Sequence, residues 1–445
     1  MKVTLLYPAV GKKPGMKYIS SWKMEPLPLM TLAALTPPDV EVVFFDDRIE
    51  QIDYDHSTDL VAINIEAYSA LRAYGIAAEF RRRHIPVVFG GYHATLMPDE
   101  AAQHGDAVVI GEAEGLWPQV IADCRRGSLR KFYRAANRPL FGSVLPRRDI
   151  LRGKAYTALT LVETSRGCVH NCNFCSIKTY YERTYRFRTP ESIVAEIEAI
   201  GSKAVFFVDD NISADRKRAL ALFQALRPLG ITWVSQFSIN MAQDEEILRA
   251  MRASGCAGVL IGFESLERKN LEQMGKAWNL KVQYEQPLAK LRDHGICVYA
   301  TFVFGYDYDD QAVVDKTVEF AVRHKLFLAA FNHLLPFPGT DLYRQLEKEG
   351  RLVFKNWWLD AAYCYGKIPY RPRLMTPEAL EQACIKARND FYSVPCILRR
   401  SLDRKANCAR ASLAAVFFAQ NFLARREVKE KWGLPLGIHL DTPNK

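Results

Sequence analysis

Short apolar runs alternate with helix-like stretches along the first part of the chain. The runs predict five buried strands, at residues 2–7, 41–46, 60–65, 87–89 and 107–110. The stretches between them have helical spacing, as at residues 67–83. Strands that alternate with helices are typical of a parallel sheet covered on both faces. We therefore predict an α/β domain over residues 1–125, with a doubly wound, Rossmann-like sheet.

A second strand–helix series follows a break in the pattern. Residues 126–157 carry Arg, Lys, Pro and Gly without the alternation, so we predict a linker there. Six further strands are predicted, at residues 160–164, 204–208, 231–237, 258–263, 298–304 and 327–335. They predict a partial (β/α)6 barrel over residues 158–335, with its chemistry at the carboxyl ends of the strands. Residues 336–445 have a mainly helical, irregular pattern.

Length and composition narrow the class of protein. The chain has 445 residues, 49% of them hydrophobic, which suffices for several domains with large cores. No apolar run approaches the ~20 residues that span a bilayer, and the apolar start is too short for a signal peptide. Ten cysteines fit a reducing compartment, where clustered cysteines bind metal or do chemistry more often than they form disulfides. We therefore expect a cytoplasmic protein with no transmembrane segment.

The net charge gives little information about binding partners. The value of +10 is mild for this length and permits an anionic substrate or a membrane surface. No recognised nucleic-acid-binding module accompanies the charge, so we expect no nucleic-acid partner.

Three cysteines lie close together in the segment Ser-Arg-Gly-Cys-Val-His-Asn-Cys-Asn-Phe-Cys, residues 165–175. Cys168, Cys172 and Cys175 can hold three irons of a cubane cluster, whereas such clusters normally take four cysteines. The fourth iron is then open to a small molecule. Two other interpretations remain, a structural zinc site with His170 as the fourth ligand and a disulfide.

This Cys-x3-Cys-x2-Cys spacing, with Phe174 before the third cysteine, resembles the signature of radical S-adenosylmethionine (SAM) enzymes. In that family the open iron chelates SAM, and an electron from the cluster cleaves SAM to a 5′-deoxyadenosyl radical. The resemblance implies a [4Fe–4S] cluster on the three cysteines and Phe174 beside the cofactor. It also implies an electron donor such as a flavodoxin or ferredoxin.

Two motifs at predicted strand ends extend the resemblance. Asp209, Asp210 and Asn211 end the second barrel strand, where radical SAM enzymes carry a polar cluster that binds the SAM amino group. This chain departs from the commoner Gly-Gly-Glu there, and helix capping is the alternative role. Gln236 and Ser238 lie two residues apart on one face of the third strand. They match positions that reach the SAM carboxylate or ribose, or else they simply line the barrel.

Glu264 ends the fourth barrel strand. A carboxylate beside a buried apolar strand is costly unless it has a partner. The resemblance implies that SAM is this partner.

The first domain resembles the cobalamin-binding domain that precedes the barrel in one large subclass. The matching segments are residues 25–29, 90–93 and 111–114, and they imply cobalamin contacts at Gly90, Gly91, His93, Gly111 and Glu112. Glycines let backbone approach a flat macrocycle closely, or merely form tight turns. The Asp-x-His-x-x-Gly motif is absent, so cobalamin binds without a histidine ligand or the domain has lost it.

The resemblance runs through about residues 1–395 and implies a cobalamin-dependent radical SAM methyltransferase. Such an enzyme methylates an unactivated carbon and releases S-adenosylhomocysteine and 5′-deoxyadenosine. One alternative is a radical SAM enzyme that rearranges, cyclises or oxidises its substrate without methyl transfer. A second is a non-catalytic metal- or cobalamin-binding protein.

The C-terminal region leaves two open points. The aromatic tract at residues 357–365 suggests a cover over the barrel mouth and a small or medium organic metabolite as substrate. Packing of this region onto the barrel is the alternative. Residues 411–425 combine apolar and basic side chains, which predicts a docked helix or, alternatively, contact with a membrane surface.

Overall fold

The computed structural model describes residues 1–139, 141–142 and 144–437, and only the backbone of residue 277. The strands are β1 (Lys2–Tyr7), β2 (Glu41–Asp46), β3 (Leu60–Asn64), β4 (Val87–Gly90), β5 (Ala107–Ile110), β6 (Phe132–Arg134), β7 (Thr160–Val162), β8 (Ser165–Gly167), β9 (Tyr185–Phe187), β10 (Ala204–Phe207), β11 (Thr232–Gln236), β12 (Cys256–Glu264), β13 (Cys297–Phe304) and β14 (Leu328–His333). The helices are α1 (Leu27–Leu35), α2 (Ala70–Arg82), α3 (Tyr92–Leu96), α4 (Pro98–His104), α5 (Trp117–Arg125), α6 (Ser176–Tyr181), α7 (Pro190–Ile200), α8 (Arg216–Leu226), α9 (Glu245–Ala253), α10 (Arg268–Gln273), α11 (Glu285–Asp293), α12 (Gln311–Arg323), α13 (Asp341–Lys348), α14 (Pro377–Phe391), α15 (Val394–Ser401) and α16 (Ala411–Lys431).

The first sheet is parallel throughout and has the order β2-β1-β3-β4-β5-β6. Its central strand β3 is buried at every position, which explains the continuous apolar run in the sequence. The strand order reverses at β1, and doubly wound sheets bind ligands beyond the carboxyl ends of the strands at such a point. The predicted α/β class of this domain is confirmed.

One strand of this sheet lies inside the segment that we predicted as a linker. β6 pairs in parallel with β5 and places Tyr133 in the core, where its hydroxyl donates to Asp123 at 2.9 Å. A three-residue strand with one inward side chain has too few positions to show the period of two that marks a strand.

The second sheet is the predicted partial barrel. Six parallel strands stand in chain order, β7, β10, β11, β12, β13 and β14, and helices connect them. Alternate strand residues enter one large apolar core beneath the outer helices, as the pattern of β13 shows. An antiparallel pair, β8 and β9, is inserted after the first barrel strand. The predicted barrel and the helical C-terminal region are confirmed.

The tryptophans of the aromatic tract after α13 do not form the cover over the barrel mouth that we had expected. Trp357 and Trp358 are fully buried in a core that belongs to the first domain. Each indole nitrogen has an acceptor, Pro336 O at 3.0 Å for Trp357 and a Glu100 carboxylate oxygen at 3.0 Å for Trp358. Large aromatic faces with one satisfied donor each are well suited to join two parts of a chain.

Within the described residues, no helix has both the length and the apolar character needed to cross a membrane.

Removing this aromatic anchor is expected to destabilise the first domain. Trp358→Ala deletes a fully buried side chain and takes a donor from Glu100, so the free energy of unfolding should fall by about 3–5 kcal/mol. Equilibrium urea unfolding followed by circular dichroism measures this change. Leu374→Ala is the control, because Leu374 is exposed and its truncation should cost less than about 0.5 kcal/mol. Equal losses in both variants would contradict the anchor.

Candidate active site

A cavity of about 660 Å³ lies between the two sheets. It is bounded by residues at the carboxyl ends of strands from both domains, namely Tyr7, Asn64, Gly90, Gly111, Glu163 and Val208. It also extends beneath the first sheet, between apolar residues of α1 and Trp117 of α5. Its volume is in the range that encloses most of a sizeable organic ligand.

A glycine shapes the wall of this cavity after β4. Gly91 has a φ of +94°, and a Cβ there would lie 2.5 Å from Asn64 Oδ1 and 2.9 Å from Ile65 O. Only glycine permits this backbone to pass so close to the end of β3. Gly90, Gly91 and Gly111 all line the cavity, where we predicted cobalamin contacts. The amide of Gly111 donates to Thr95 Oγ1 at 2.9 Å, which fixes the turn after β5.

His93 occupies a different place from these glycines. It is buried, its Nε2 lies 2.9 Å from Glu100 Oε1, and its ring lies edge-on to Trp358. The side chain therefore lies in the core behind the cavity wall. Its predicted contact with cobalamin stays a prediction.

The three clustered cysteines lie in a loop between β8 and α6. All three are free thiols, and burial is the main factor that raises the pKa of each. The pKa of Cys168 rises to about 11 and that of Cys172 to about 12, partly through the charge of neighbouring thiols of the trio. Such mutual influence requires that the three sulfurs lie near one another.

A single metal ion requires its ligands around one point, whereas each thiolate of a cubane binds its own iron. In the described part of the chain, no set of three His, Cys, Asp or Glu side chains is gathered as one ion requires. His170 stacks on Trp278 with ring centroids 3.6 Å apart. Burial lowers the pKa of His170 to about 4, so the ring is neutral at physiological pH.

Gly167 sets the direction of the cysteine loop. It has a φ of +87°, and a Cβ there would lie 2.0 Å from Thr184 O. Its amide donates to Asp210 at 3.0 Å. Phe174, just before the third cysteine, is half-buried against the barrel core and lies edge-on to Tyr306.

The two aspartates that follow β10 have different partners. Asp209 is fully buried and accepts hydrogen bonds from the backbone amides of Thr164 and Ser165 at 2.7 and 3.0 Å. It therefore holds the start of the cysteine segment. Burial raises the pKa of Asp210 to about 7, and the charge of this carboxyl influences Cys168. Asp210 thus faces the cysteine loop.

Asn211 and Ser238, predicted from separate strands, meet in the structure. Asn211 Nδ2 donates to Ser238 Oγ at 2.8 Å, while Asn211 Oδ1 accepts from Ser213. Gln236 is half-buried at the end of β11, and its backbone carbonyl oxygen accepts a hydrogen bond from Ile212 N at 3.1 Å. These side chains form a polar rim at the carboxyl end of the barrel.

Glu264 has a protein partner that sequence reasoning missed. Lys276 Nζ lies 2.7 Å from its Oε1 and also donates to Gly262 O at 2.6 Å. Glu264 itself has a φ of +62°, which turns the chain at the end of β12. Its charge also influences Cys172 and Cys175, so the pair lies beside the cysteine loop.

Glu112 joins the two domains. Its buried carboxylate forms ion pairs with Arg166 at 2.6 Å, with Arg186 at 2.6 Å and with Arg138 at 3.4 Å. Burial pushes the pKa of Glu112 upward, but hydrogen bonds from Arg186 and Arg166 outweigh it and hold the pKa below its ordinary value. Arg166 also binds Glu114 at 2.7 Å and Glu163 at 3.0 Å. We call Glu112, Glu114, Glu163 and the three arginines the interdomain ion cluster.

Comparison with known proteins assigns the family. The pattern of the Radical SAM superfamily matches residues 162–321. A bacteriochlorophyllide d C-12(1)-methyltransferase of Chlorobaculum tepidum is 30% identical over 395 residues, which cover 86% of each chain. The chain belongs to the radical SAM superfamily. A second enzyme of that organism, a bacteriochlorophyllide d C-8(2)-methyltransferase, is 29% identical and covers 74% of this chain and 77% of its own.

Solved structures agree with this fold. TsrM, a radical SAM methyltransferase of Kitasatospora setae solved with cobalamin and a [4Fe–4S] cluster, gives a TM-score of 0.63 at 16% identity. The match covers 96% of this chain and 98% of TsrM. TsrM confirms the predicted fold class, while the family match and the Chlorobaculum relatives confirm the predicted family and enzyme class of the radical SAM protein. A [4Fe–4S] cluster and SAM, two of the three predicted cofactors, are those of this superfamily. TsrM was solved with cobalamin as well, the third cofactor that we predicted.

Three functional side chains of the radical SAM protein escaped sequence reasoning. Arg166 lies within the cysteine segment, and its position two residues before Cys168 was the available signal. Lys276 follows Glu264 by 12 residues, and the short helix α10 and two short connecting segments lie between them, so no single helix or strand period relates the two residues. Glu163 directly follows β7, at the carboxyl edge where barrels keep functional groups.

Glu163 is expected to make stability depend on pH. Burial raises its pKa from 4.5 to about 7, although Arg166 opposes the rise. Between these values the folded chain binds more protons than the unfolded chain, so the free energy of unfolding falls as pH rises. In Glu163→Gln, the decrease in the free energy of unfolding over this pH range should be smaller by about 1–3 kcal/mol. Urea unfolding at several pH values measures the slope, and Glu198→Gln on the exposed face of α7 gives the background. A slope unchanged by Glu163→Gln would contradict the burial of this carboxyl.

Proposed function

We propose that the protein is a cobalamin-dependent radical SAM methyltransferase that methylates an unactivated carbon of a small or medium-sized, largely apolar metabolite. One observation carries the proposal. Residues at the carboxyl ends of strands from both sheets line one cavity, and Arg166, two residues before Cys168, is among them. A group bound there by the first domain would therefore face the start of the cysteine loop. Separate sites on the two domains would give no such arrangement.

The first domain offers a fitting place for cobalamin. Gly90, Gly91 and Gly111 present backbone to the cavity without side chains in the way. The extension beneath the sheet is lined by Leu32, Leu35 and Trp117, which suits an apolar or aromatic appendage of the macrocycle. In this proposal, shape and backbone contacts hold cobalamin.

The barrel offers donors for the other two groups. Cys168, Cys172 and Cys175 would hold three irons of the cluster, and the polar rim of Asn211 and Ser238 would bind SAM. When bound, the cluster supplies an electron for SAM cleavage and cobalamin supplies a methyl group for transfer. An external electron donor such as a flavodoxin or ferredoxin would reduce the cluster again after each electron transfer to SAM.

The chain's own residues orient these groups and keep water away. Lys276 neutralises Glu264 beside the cysteine loop, so this carboxylate is held in one direction without a bound ligand. Tyr180 and Tyr181 lie on the cavity wall near Arg166, and their rings contact each other at 4.8 Å. Aromatic packing around a reacting centre excludes water and so limits side reactions of reactive intermediates.

An aromatic wall supports an apolar substrate. Trp22, Tyr68 and Tyr365 line the cavity, with ring centroids of Tyr365 lying 5.2 Å from Trp22 and 5.4 Å from Tyr68. Such faces bind flat or polycyclic apolar molecules well. The two Chlorobaculum relatives are named for bacteriochlorophyllide d, a substrate of that character.

Replacing any of the three clustered cysteines with alanine should abolish reductive SAM cleavage, because each thiolate holds one iron. Iron and sulfide content after anaerobic reconstitution, together with 5′-deoxyadenosine release, measures the effect. Cys124→Ala is the matched control, since Cys124 lies on α5 away from the loop. Retained cleavage in the variants, or stoichiometric zinc in the native protein, would contradict the assignment.

Methyl transfer predicts a product ratio. With methyl-labelled SAM and a metabolite extract from a deletion strain, S-adenosylhomocysteine and 5′-deoxyadenosine should form in equal amounts, and one small molecule should carry the label. Mass spectrometry measures all three. 5′-Deoxyadenosine without S-adenosylhomocysteine would favour rearrangement, cyclisation or oxidation instead. Label confined to protein or RNA would contradict the small-molecule substrate.

A further inference from the structure

The C-terminal helices expose apolar side chains in ordered stripes. On α15, Val394 and Leu398 are four residues apart, and Leu402 follows after four more, so all three share one face. Each is exposed, Leu402 at 62% of its surface. Single exposed apolar residues are normal, but a stripe of three large ones is not.

α16 carries a second stripe. Ala415, Val416, Ala419, Phe422 and Leu423 follow the spacing of one helix face. Val416 and Phe422 are 48% and 46% exposed. The opposite face holds Phe417 and Asn421, which are buried. Apolar side chains therefore lie on both sides of α16, although packing within the protein needs only one.

The two helices form one body, so the stripes keep a fixed relation. Arg400 of α15 is fully buried and donates to Asn421 Oδ1 of α16 at 2.9 Å. Its guanidinium also lies 5.6 Å from the ring centroid of Phe417. We call the exposed apolar residues of α15 and α16 the C-terminal apolar patch.

Within residues 394–426, every exposed charged side chain is positive. Residues 394–426 are all described, and their one acidic side chain, Asp403, is buried. The exposed cations in this range are Arg399, Arg404, Lys405, Arg410, Arg425 and Arg426. Lys405 pairs with Asp293 and Arg426 with Glu430, but such exposed pairs neutralise little.

We propose that the C-terminal apolar patch docks this protein on an anionic lipid bilayer. Apolar side chains among an excess of exposed cations are the composition that inserts at a headgroup boundary. A second copy of the chain is disfavoured, because a symmetric contact would bring the same cations against each other. An acidic protein partner would satisfy the charge, but it would not require two continuous apolar stripes.

Docking would bring the cavity close to the bilayer. α16 ends beside the aromatic wall, where Lys431 Nζ lies 5.4 Å from the ring centroid of Trp22. Ser21, next to Trp22, donates its backbone amide to Glu427 of α16 at 3.0 Å. An apolar metabolite dissolved in the membrane would then reach the cavity directly, an implication that rests on the proposed function. Docking itself does not depend on that function.

The test is cosedimentation of the full chain with vesicles, which needs no turnover. Vesicles of phosphatidylcholine with about one-third phosphatidylglycerol should bind the protein, and pure phosphatidylcholine should bind it far more weakly. Raising salt to about 0.5 M should weaken binding, because it screens the cations. Absence of binding to the anionic vesicles at low salt would overturn the proposal.

Matched variants distinguish vesicle binding through the C-terminal apolar patch from nonspecific binding through other exposed side chains. Val416→Glu with Phe422→Glu should lower binding about tenfold or more. Val353→Glu with Leu374→Glu makes the same chemical change at exposed apolar sites elsewhere and should leave binding unchanged. Arg399→Gln with Arg410→Gln should lower binding about tenfold, whereas Arg227→Gln with Arg249→Gln should not.

Folding and self-association are checked on the same samples. Circular dichroism should be unchanged in all four double variants, because every altered side chain is exposed. Analytical ultracentrifugation should show the same oligomeric state for native protein and Val416→Glu/Phe422→Glu. A patch variant that dissociates a native oligomer while vesicle binding persists would assign the patch to a second copy and overturn the proposal.

Discussion

The carboxylate of Glu112 cannot remain buried without cations, and this requirement ties the two domains together. Removing a charge from water costs several kcal/mol unless partners and hydrogen bonds compensate. Here the partners come from the other side of the domain boundary, Arg166 from β8 and Arg186 from β9. Arg166 lies two residues before Cys168. The charge of the first domain therefore positions the chain that carries the cysteines.

The cavity follows from this arrangement. Because the ion cluster joins the loop after β5 to β8 and β9, the carboxyl edges of both sheets are held face to face. Gly91 and Gly167 then let backbone pass where side chains would collide. The aromatic residues Trp357 and Trp358 join the first domain to the C-terminal region, which also packs on the barrel. That packing leaves the cavity between the sheets open and places α16 at its rim.

The sequence allowed accurate prediction where burial is continuous or spacing is local. β1, β2 and β5 have the predicted bounds because each is a compact apolar run between polar segments. The cysteine loop was found because its ligands lie within one short segment. β6, β8 and β9 were missed, since three residues show no period and none of these strands lies in an apolar run as the equally short β7 does.

The ion cluster escaped prediction for a different reason. Arg186 and Glu112 are 74 residues apart and belong to different domains, so nothing local marks them as partners. Lys276 likewise meets Glu264 only because the segment that contains α10 folds back over the end of β12. The aromatic tract was predicted as a cover because composition shows that aromatic residues pack, but not against which surface.

Anomalous X-ray diffraction at the iron and cobalt edges, from crystals loaded with both cofactors, tests the central claim most directly. We predict iron at Cys168, Cys172 and Cys175, and one cobalt site within the cavity between the carboxyl ends of β3 and β4 and the mouth of the barrel. A cobalt peak outside that cavity, or zinc in place of iron at the three cysteines, would contradict the claim that both domains serve one site.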